Sequence, residues 1–240
     1  MRQILLLFIL TLLLIQPGRS QHDLAREEFV IVSGGPALRQ WEDYRVASDQ
    51  HDRYAGNFAK AAHIRINQLR RLHGDAARIT WLVYRPGYEV RDREDARRNP
   101  PYTCNMAEIT QRAASSNARL VWFTSKDFLI NYLNSRNGKL LGGFEFFGHS
   151  NKYAFLFDYS SDILGVSTCY LHVKDLSRLR RGLFAPHAHV QSWGCHTGEY
   201  MSRIFKKTTG HPMLGAVGKT DYRAIGDNKS LPAVSGRWAD

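Results

Sequence analysis

"HAHVQSWGCHTGEY" (residues 187–200) runs from polar into apolar residues, stops at Gly194-Cys195-His196 and then turns helical. A short apolar run closed by glycine reads as a buried strand, and a helix opening just beyond it marks the join of a strand-helix unit. A second stretch, "GGFEFFGHSNKY" (142–153), ends in Gly148-His149 in the same manner. These two strand ends set the frame for the rest of the chain.

Working outward, "EEFVIVSGG" (27–35) is an apolar run stopped by two glycines, and "DQHDRYAGNFAKAAHIRINQLRRLHG" (49–74) carries apolar residues at helical spacing up to Gly74. "ARITWLVYRPG" (77–87) reads as the next strand, ended by Pro86-Gly87. "EVRDREDARRNPPYT" (89–103) reads as a charged, flexible loop, with "RDREDARRNPP" a candidate processing site. A helix over 105–117, a strand over 118–125, a helix over 126–138 and a strand over 139–149 follow. The rhythm breaks at 152–183, where two strands joined by a turn around Asp162 to Gly165 precede a short helix. It resumes with the strand 187–194, the helix 198–210 and a strand over 212–222, before a turn-rich tail. Alternation of this kind predicts an α/β fold, a three-layer sandwich with a mostly parallel sheet between helices.

The first twenty residues read as a signal peptide. Arg2 supplies the charged start, Ile4 to Ile15 an apolar segment too short to span a bilayer, and Gly18-Arg19-Ser20 the small residues before a cut at Gln21. Residues 21–240 then form a single domain, secreted or periplasmic, with no transmembrane segment. The 33 basic residues fall to 31 once Arg2 and Arg19 leave, against 22 acidic ones. The excess sits in short runs (Arg70-Arg71, Arg97-Arg98, Arg178 to Arg181) that read first as solvated faces, with an anionic surface or polymer as the minority reading and no specific nucleic acid. Cys104, Cys169 and Cys195 make an odd number in an oxidising compartment, so at least one thiol stays free. Whether Cys104 and Cys169 pair is left open.

In open parallel sheets, ligands bind outside the carboxyl ends of the strands. His149 and Cys195 both fall at such ends, and an imidazole near a thiol supplies the base or cation that a sulfur nucleophile needs. Polar residues in the segment after the first strand, Asp49, His51, Asp52 and Arg53, read first as a helix N-terminus and second as a pocket wall. Asp52 and Trp193 are the candidates for substrate contact, and Trp238 in the tail could wall the site. A metal site at His187, His189, Cys195 and His196 is discounted, because the strand puts His187 and Cys195 at opposite ends. A serine nucleophile at Ser150 is discounted too, since "GHSNK" lacks the last glycine of an elbow and leads into strand.

The order of these motifs resembles the caspase-like cysteine peptidases, the clan of caspases, gingipains, separase and CHAT domains. "FEFFGHS" matches the strand ending in histidine, and Gly194-Cys195-His196-Thr197-Gly198 matches the Cys-x-Thr-Gly pattern of CHAT domains. "KDLSRL" and "PMLGAVGKTDY" stand where those domains carry a helix and the next strand. The resemblance covers roughly 140–222. It implies a caspase-like fold and a cysteine endopeptidase acting on a peptide or protein substrate, without a cofactor or catalytic metal. Cys195 would be the nucleophile and His149 its base, with backbone N–H groups of Cys195 and Ser150 as oxyanion donors. The clan carries glycine where this chain has Ser150, and that departure implies the alternative: a catalytically inactive binding or scaffold domain.

Overall fold

The computed structural model describes residues 27–44, 46, 56–96, 105–135, 139–159, 167–227 and 229–240. Residues 1–26, Asp49 to Arg53, residues 97–103 of the charged segment with Arg97-Arg98 and its two prolines, Cys104 and the turn at Asp162 to Gly165 lie outside the described residues. Five parallel strands form the central sheet: β1 (Glu27–Ser33), β2 (Arg78–Tyr84), β3 (Arg119–Phe123), β4 (Leu140–Phe147) and β8 (Phe184–Ser192). Their order is β3-β2-β1-β4-β8, so the direction of chain progression reverses at β1.

Side-chain alternation explains the layers. Val30 and Val32 of β1 face one hydrophobic cluster, and Phe29 and Ile31 face another. A sheet covered on both faces needs near-continuous apolar strands, as "FVIVS" and "ITWLVY" supply. One face is covered by α2 (Asn57–His73) and α4 (Met106–Ser115), which contribute Ala62, Ile66, Ile109 and Ala113. The opposite face is covered by α5 (Lys126–Asn134) and α6 (Met201–Thr209), through Leu129, Leu133, Met201 and Phe205. This is the three-layer α/β arrangement read from the sequence. Helix ends follow local chemistry: Asn105 and Ser125 cap α4 and α5 with side-chain oxygens, while Gly74, Asn117 and Gly210 take positive φ just past α2, α4 and α6.

Two expectations need correction. The charged segment read as a flexible loop is helical over α3 (Arg85–Asp95), which begins directly after β2 with Pro86 in its first turn. Its charges are partnered: Arg85 bonds Glu89 at 2.6 Å and Arg91 bonds Asp95 at 3.1 Å, both one turn apart. Arg39, in the short helix α1 (Arg39–Asp43), reaches the same Asp95 at 2.6 Å, and Arg91 donates to the Ala37 carbonyl. The network is buried and ties the loop after β1 to α3. Gly35 and Gly87 approach closely there: a side-chain carbon on Gly87 would collide with the Gly35 backbone, and one on Gly35 would collide with the Phe157 carbonyl and crowd Gly87.

The second correction concerns 212–222. In place of one strand there are two short ones, β9 (Gly215–Val217) and β10 (Thr220–Asp221). They pair antiparallel with β12 (Arg237–Ala239) and β11 (Ala233–Val234) of the tail. The region that breaks the rhythm is a three-stranded antiparallel sheet, β5 (His149–Asn151), β6 (Ala154–Leu156) and β7 (Tyr170–His172), followed by a 3-10 turn over Val173–Arg178. Among the described residues no helix is long and apolar enough to cross a membrane.

Candidate active site

Because β4 and β8 are parallel neighbours, their last residues share one rim of the sheet. The Trp193 N–H donates to the Phe146 carbonyl at 2.8 Å, carrying the pairing one step past β8. Beyond it the two chains stay in touch: the Ser150 hydroxyl donates to the Cys195 carbonyl at 2.7 Å. Gly194 is required by this approach, since a side-chain carbon there would overlap the Ser150 hydroxyl and press on the Gly148 carbonyl. The serine that departs from the clan pattern is thus a bond between the two strand ends.

Cys195 is a free, half-buried cysteine. Its sulfur accepts the Thr220 N–H at 3.3 Å and lies 3.4 Å from the Thr220 hydroxyl. The next residue, His196, adopts the left-handed conformation at φ +63°, which turns the chain sharply. Its N–H bonds the Gly218 carbonyl, and its ring bonds Glu199 at 2.6 Å. That hydrogen bond, with a second from the Gly218 N–H, holds the Glu199 carboxyl below its ordinary range. A 3-10 turn over Thr197–Glu199 separates Cys195 from α6, so the α-helix expected from Gly198 starts only at Met201.

His149 is half-buried. The Phe58 ring stands edge-on to the imidazole, 4.8 Å between centroids, and Tyr159 lies tilted against it at 4.9 Å. Phe58 also meets Tyr222 edge-on, and the Tyr222 hydroxyl donates to the Trp193 carbonyl at 3.0 Å. Aromatic packing therefore links the histidine ring to the residue two before the cysteine. Trp193 itself is buried. It stacks on Phe147, meets Trp238 edge-on, and donates its indole N–H to Glu145 at 2.8 Å. Glu145, 1% exposed, takes Arg65 of α2 on its other oxygen at 2.6 Å. Trp193 and Trp238 so back the strand end from inside, and Asp52 lies outside the described residues.

The register His149↔Leu156↔Tyr170 and Asn151↔Ala154↔His172 puts these six residues on one face of the small sheet. Ser150, Phe155 and Leu171 take the other face, with Phe155 and Leu171 in the core. A cleft of about 400 Å³ lies on the histidine's face, lined by Asn151, Tyr153, Leu156, Tyr159, Tyr170 and His172. Its volume is that of a few amino-acid side chains, and Tyr159 connects it to the imidazole.

The imidazoles considered for a metal go separate ways: His187 bonds Glu27 at 2.9 Å, His189 bonds Gln191 at 2.9 Å, and His196 bonds Glu199. Among the described residues no three His, Cys, Asp or Glu side chains converge for a metal. Cys169 is also free, and burial pushes its thiol up. Thr220, Phe58, Tyr159 and Tyr222 were not singled out in the sequence, and no local motif marks them. Glu145 did carry a signal, a carboxylate inside the apolar strand "FEFF". Comparison with models of known protein families, with curated proteins and with solved structures finds no match for this chain.

Proposed function

We propose that the protein is an exported cysteine endopeptidase of caspase-like type, using Cys195 and His149. The observation that carries the reading is the bond from Ser150 to the Cys195 carbonyl, which joins the residue after the histidine to the cysteine at one sheet rim. In this reading Cys195 gives its proton to His149, and the sulfur attacks a peptide carbonyl carbon. The tetrahedral oxyanion is met by backbone N–H groups at Cys195 and Ser150. The carbon–nitrogen bond then breaks, with His149 returning the proton to the leaving amine. Water, deprotonated by His149, cleaves the thioester and frees the thiol. The cleft beside Tyr159 would hold a substrate side chain next to the scissile bond.

The second reading is a domain of the same fold without catalysis, and the two contacts Thr220 makes with the sulfur favour it, because they give the thiol a structural partner. A mixed-sequence peptide library analysed by mass spectrometry separates the two. Cleavage that disappears in both Cys195→Ala and His149→Ala, with folding retained, supports the peptidase; no cleavage by the native chain, or cleavage that survives Cys195→Ala, removes it.

A further inference from the structure

The rim opposite the candidate site collects charge that the chemistry does not use. All five strands of the central sheet are parallel, so their first residues share this amino rim. Across it stand Arg119 at the start of β3, Arg78 at the start of β2, Lys139 just before β4, and Arg180 and Arg181 before β8, all exposed. The row spans about four strand spacings, roughly 19 Å. α2, α5 and α6 end at the same rim, where Arg180 and Arg181 donate to the carbonyls of Asn134 and Lys207. Cations at helix C-termini have a local purpose there. Arg78, Arg119 and Lys139 are at strand starts and have none of that kind. Of the nearby carboxylates, Asp75 is exposed, whereas Glu27 and Glu28 are buried and bonded to His187 and to Tyr132.

Two leucines project from the same rim. Leu72, in the last turn of α2, is 72% exposed and Leu140, which opens β4, is 38% exposed. A cavity of about 520 Å³ opens on the same rim between the start of β8 and the end of α6, lined by Arg181, Phe184, Pro186, His187 and His211. A soluble polyanion would reward the cations but gain nothing from the leucines. An anionic bilayer rewards both, through headgroup charge and shallow insertion of apolar side chains.

We infer that the amino rim docks on an anionic phospholipid surface, seating a headgroup at Arg181 and holding the Cys195 rim away from the membrane. The inference does not depend on catalysis. The test is partition of the full chain onto phosphatidylcholine vesicles with and without phosphatidylglycerol, at low and high salt. The native chain should prefer the anionic vesicles, and salt should abolish the preference. Arg78→Glu, Arg119→Glu and Lys139→Glu together should reduce partition at least about a hundredfold, at roughly fivefold per cation. Three reversals near the other rim, Lys152→Glu, Lys219→Glu and Arg223→Glu, should change it less than about threefold although they alter net charge equally. Should the reversals fail to fold, the glutamine versions replace them, with a smaller expected loss. Leu72→Ser with Leu140→Ser should weaken partition without changing its salt dependence. Equal partition onto both vesicle types, an equal loss in the two triple variants, or retention on heparin without vesicle binding would overturn the inference.

Discussion

At the residue scale, Ser150 and Gly194 behave as one unit. The serine hydroxyl fills the space a side chain at 194 would need, so Gly194→Ala forces the two strand ends apart. We predict a loss of about 2 kcal/mol for Gly194→Ala and about 1 kcal/mol for Ser150→Gly, read from urea midpoints. The double variant should lose less than the two together, by about 1 kcal/mol, because removing the serine makes room for the alanine. Strict additivity would mean that the two positions do not touch. The value of Ser150 was not legible in the sequence, where it stood out only as a departure from a glycine. Its hydroxyl finds a partner 45 residues away, and nothing local names that partner.

His63 is the other residue whose chemistry is set by its surroundings. It is packed in α2, bonded to Ser116 at 2.7 Å and near the Arg112 guanidinium at 3.4 Å. Burial, and then the arginine's charge, lower its pKa from 6.5 to about 4. The unfolded chain therefore binds more protons than the folded one between those values, and stability falls as pH drops from 6.5 toward 4. Half-exposed, the group should account for up to about 2 kcal/mol of that loss. In His63→Gln the same stretch of the stability-pH curve should be flatter by this amount, measured by denaturant unfolding at each pH. An identical slope in both proteins would contradict the assignment.

At the element scale, apolar strands were the readily legible part. "FVIVS", "ITWLVY" and "LVWF" are too apolar for anything but a sheet covered on both sides, and the glycines and asparagine that stop the helices were visible as letters. Helix α3 was illegible for a definite reason. Its polarity matches that of a solvated loop, and only the fold brings Arg39 to Asp95 across 56 residues. Removing Asp95 leaves two buried guanidinium groups without their carboxylate. Asp95→Ala should cost about 3–5 kcal/mol, seen in the urea midpoint, with local loss of amide protection in α3. A cost below about 1 kcal/mol would mean that the network is incidental. The short β9 and β10 were read as one strand because apolar character gives length poorly where the chain crosses from one pairing partner to another.

At the scale of the whole molecule, a parallel sheet gives its two edges different chemistry. The ends of β4 and β8 bring His149 and Cys195 to one rim, where Thr220 meets the sulfur, and strand starts gather arginine and lysine at the other. The shared rim of the two apolar runs was legible in the sequence, because strand-helix alternation implies a parallel sheet whose strand ends lie together. The other rim was legible only as scattered charge, since the row of cations exists once the strands are ordered β3-β2-β1-β4-β8. The aromatic chain from His149 through Phe58 and Tyr222 to Trp193 likewise needs the fold to draw its members from three distant segments.

The most direct measurement of the central claim is the rate at which iodoacetamide alkylates each thiol of the folded chain, followed by mass spectrometry of the peptides across pH. The account predicts that Cys195 reacts at least about tenfold faster than Cys169, whose thiol is pushed up by burial, and that His149→Ala removes most of this advantage. Alkylation of Cys195 as slow as that of Cys169, or a fast rate untouched by His149→Ala, would contradict it.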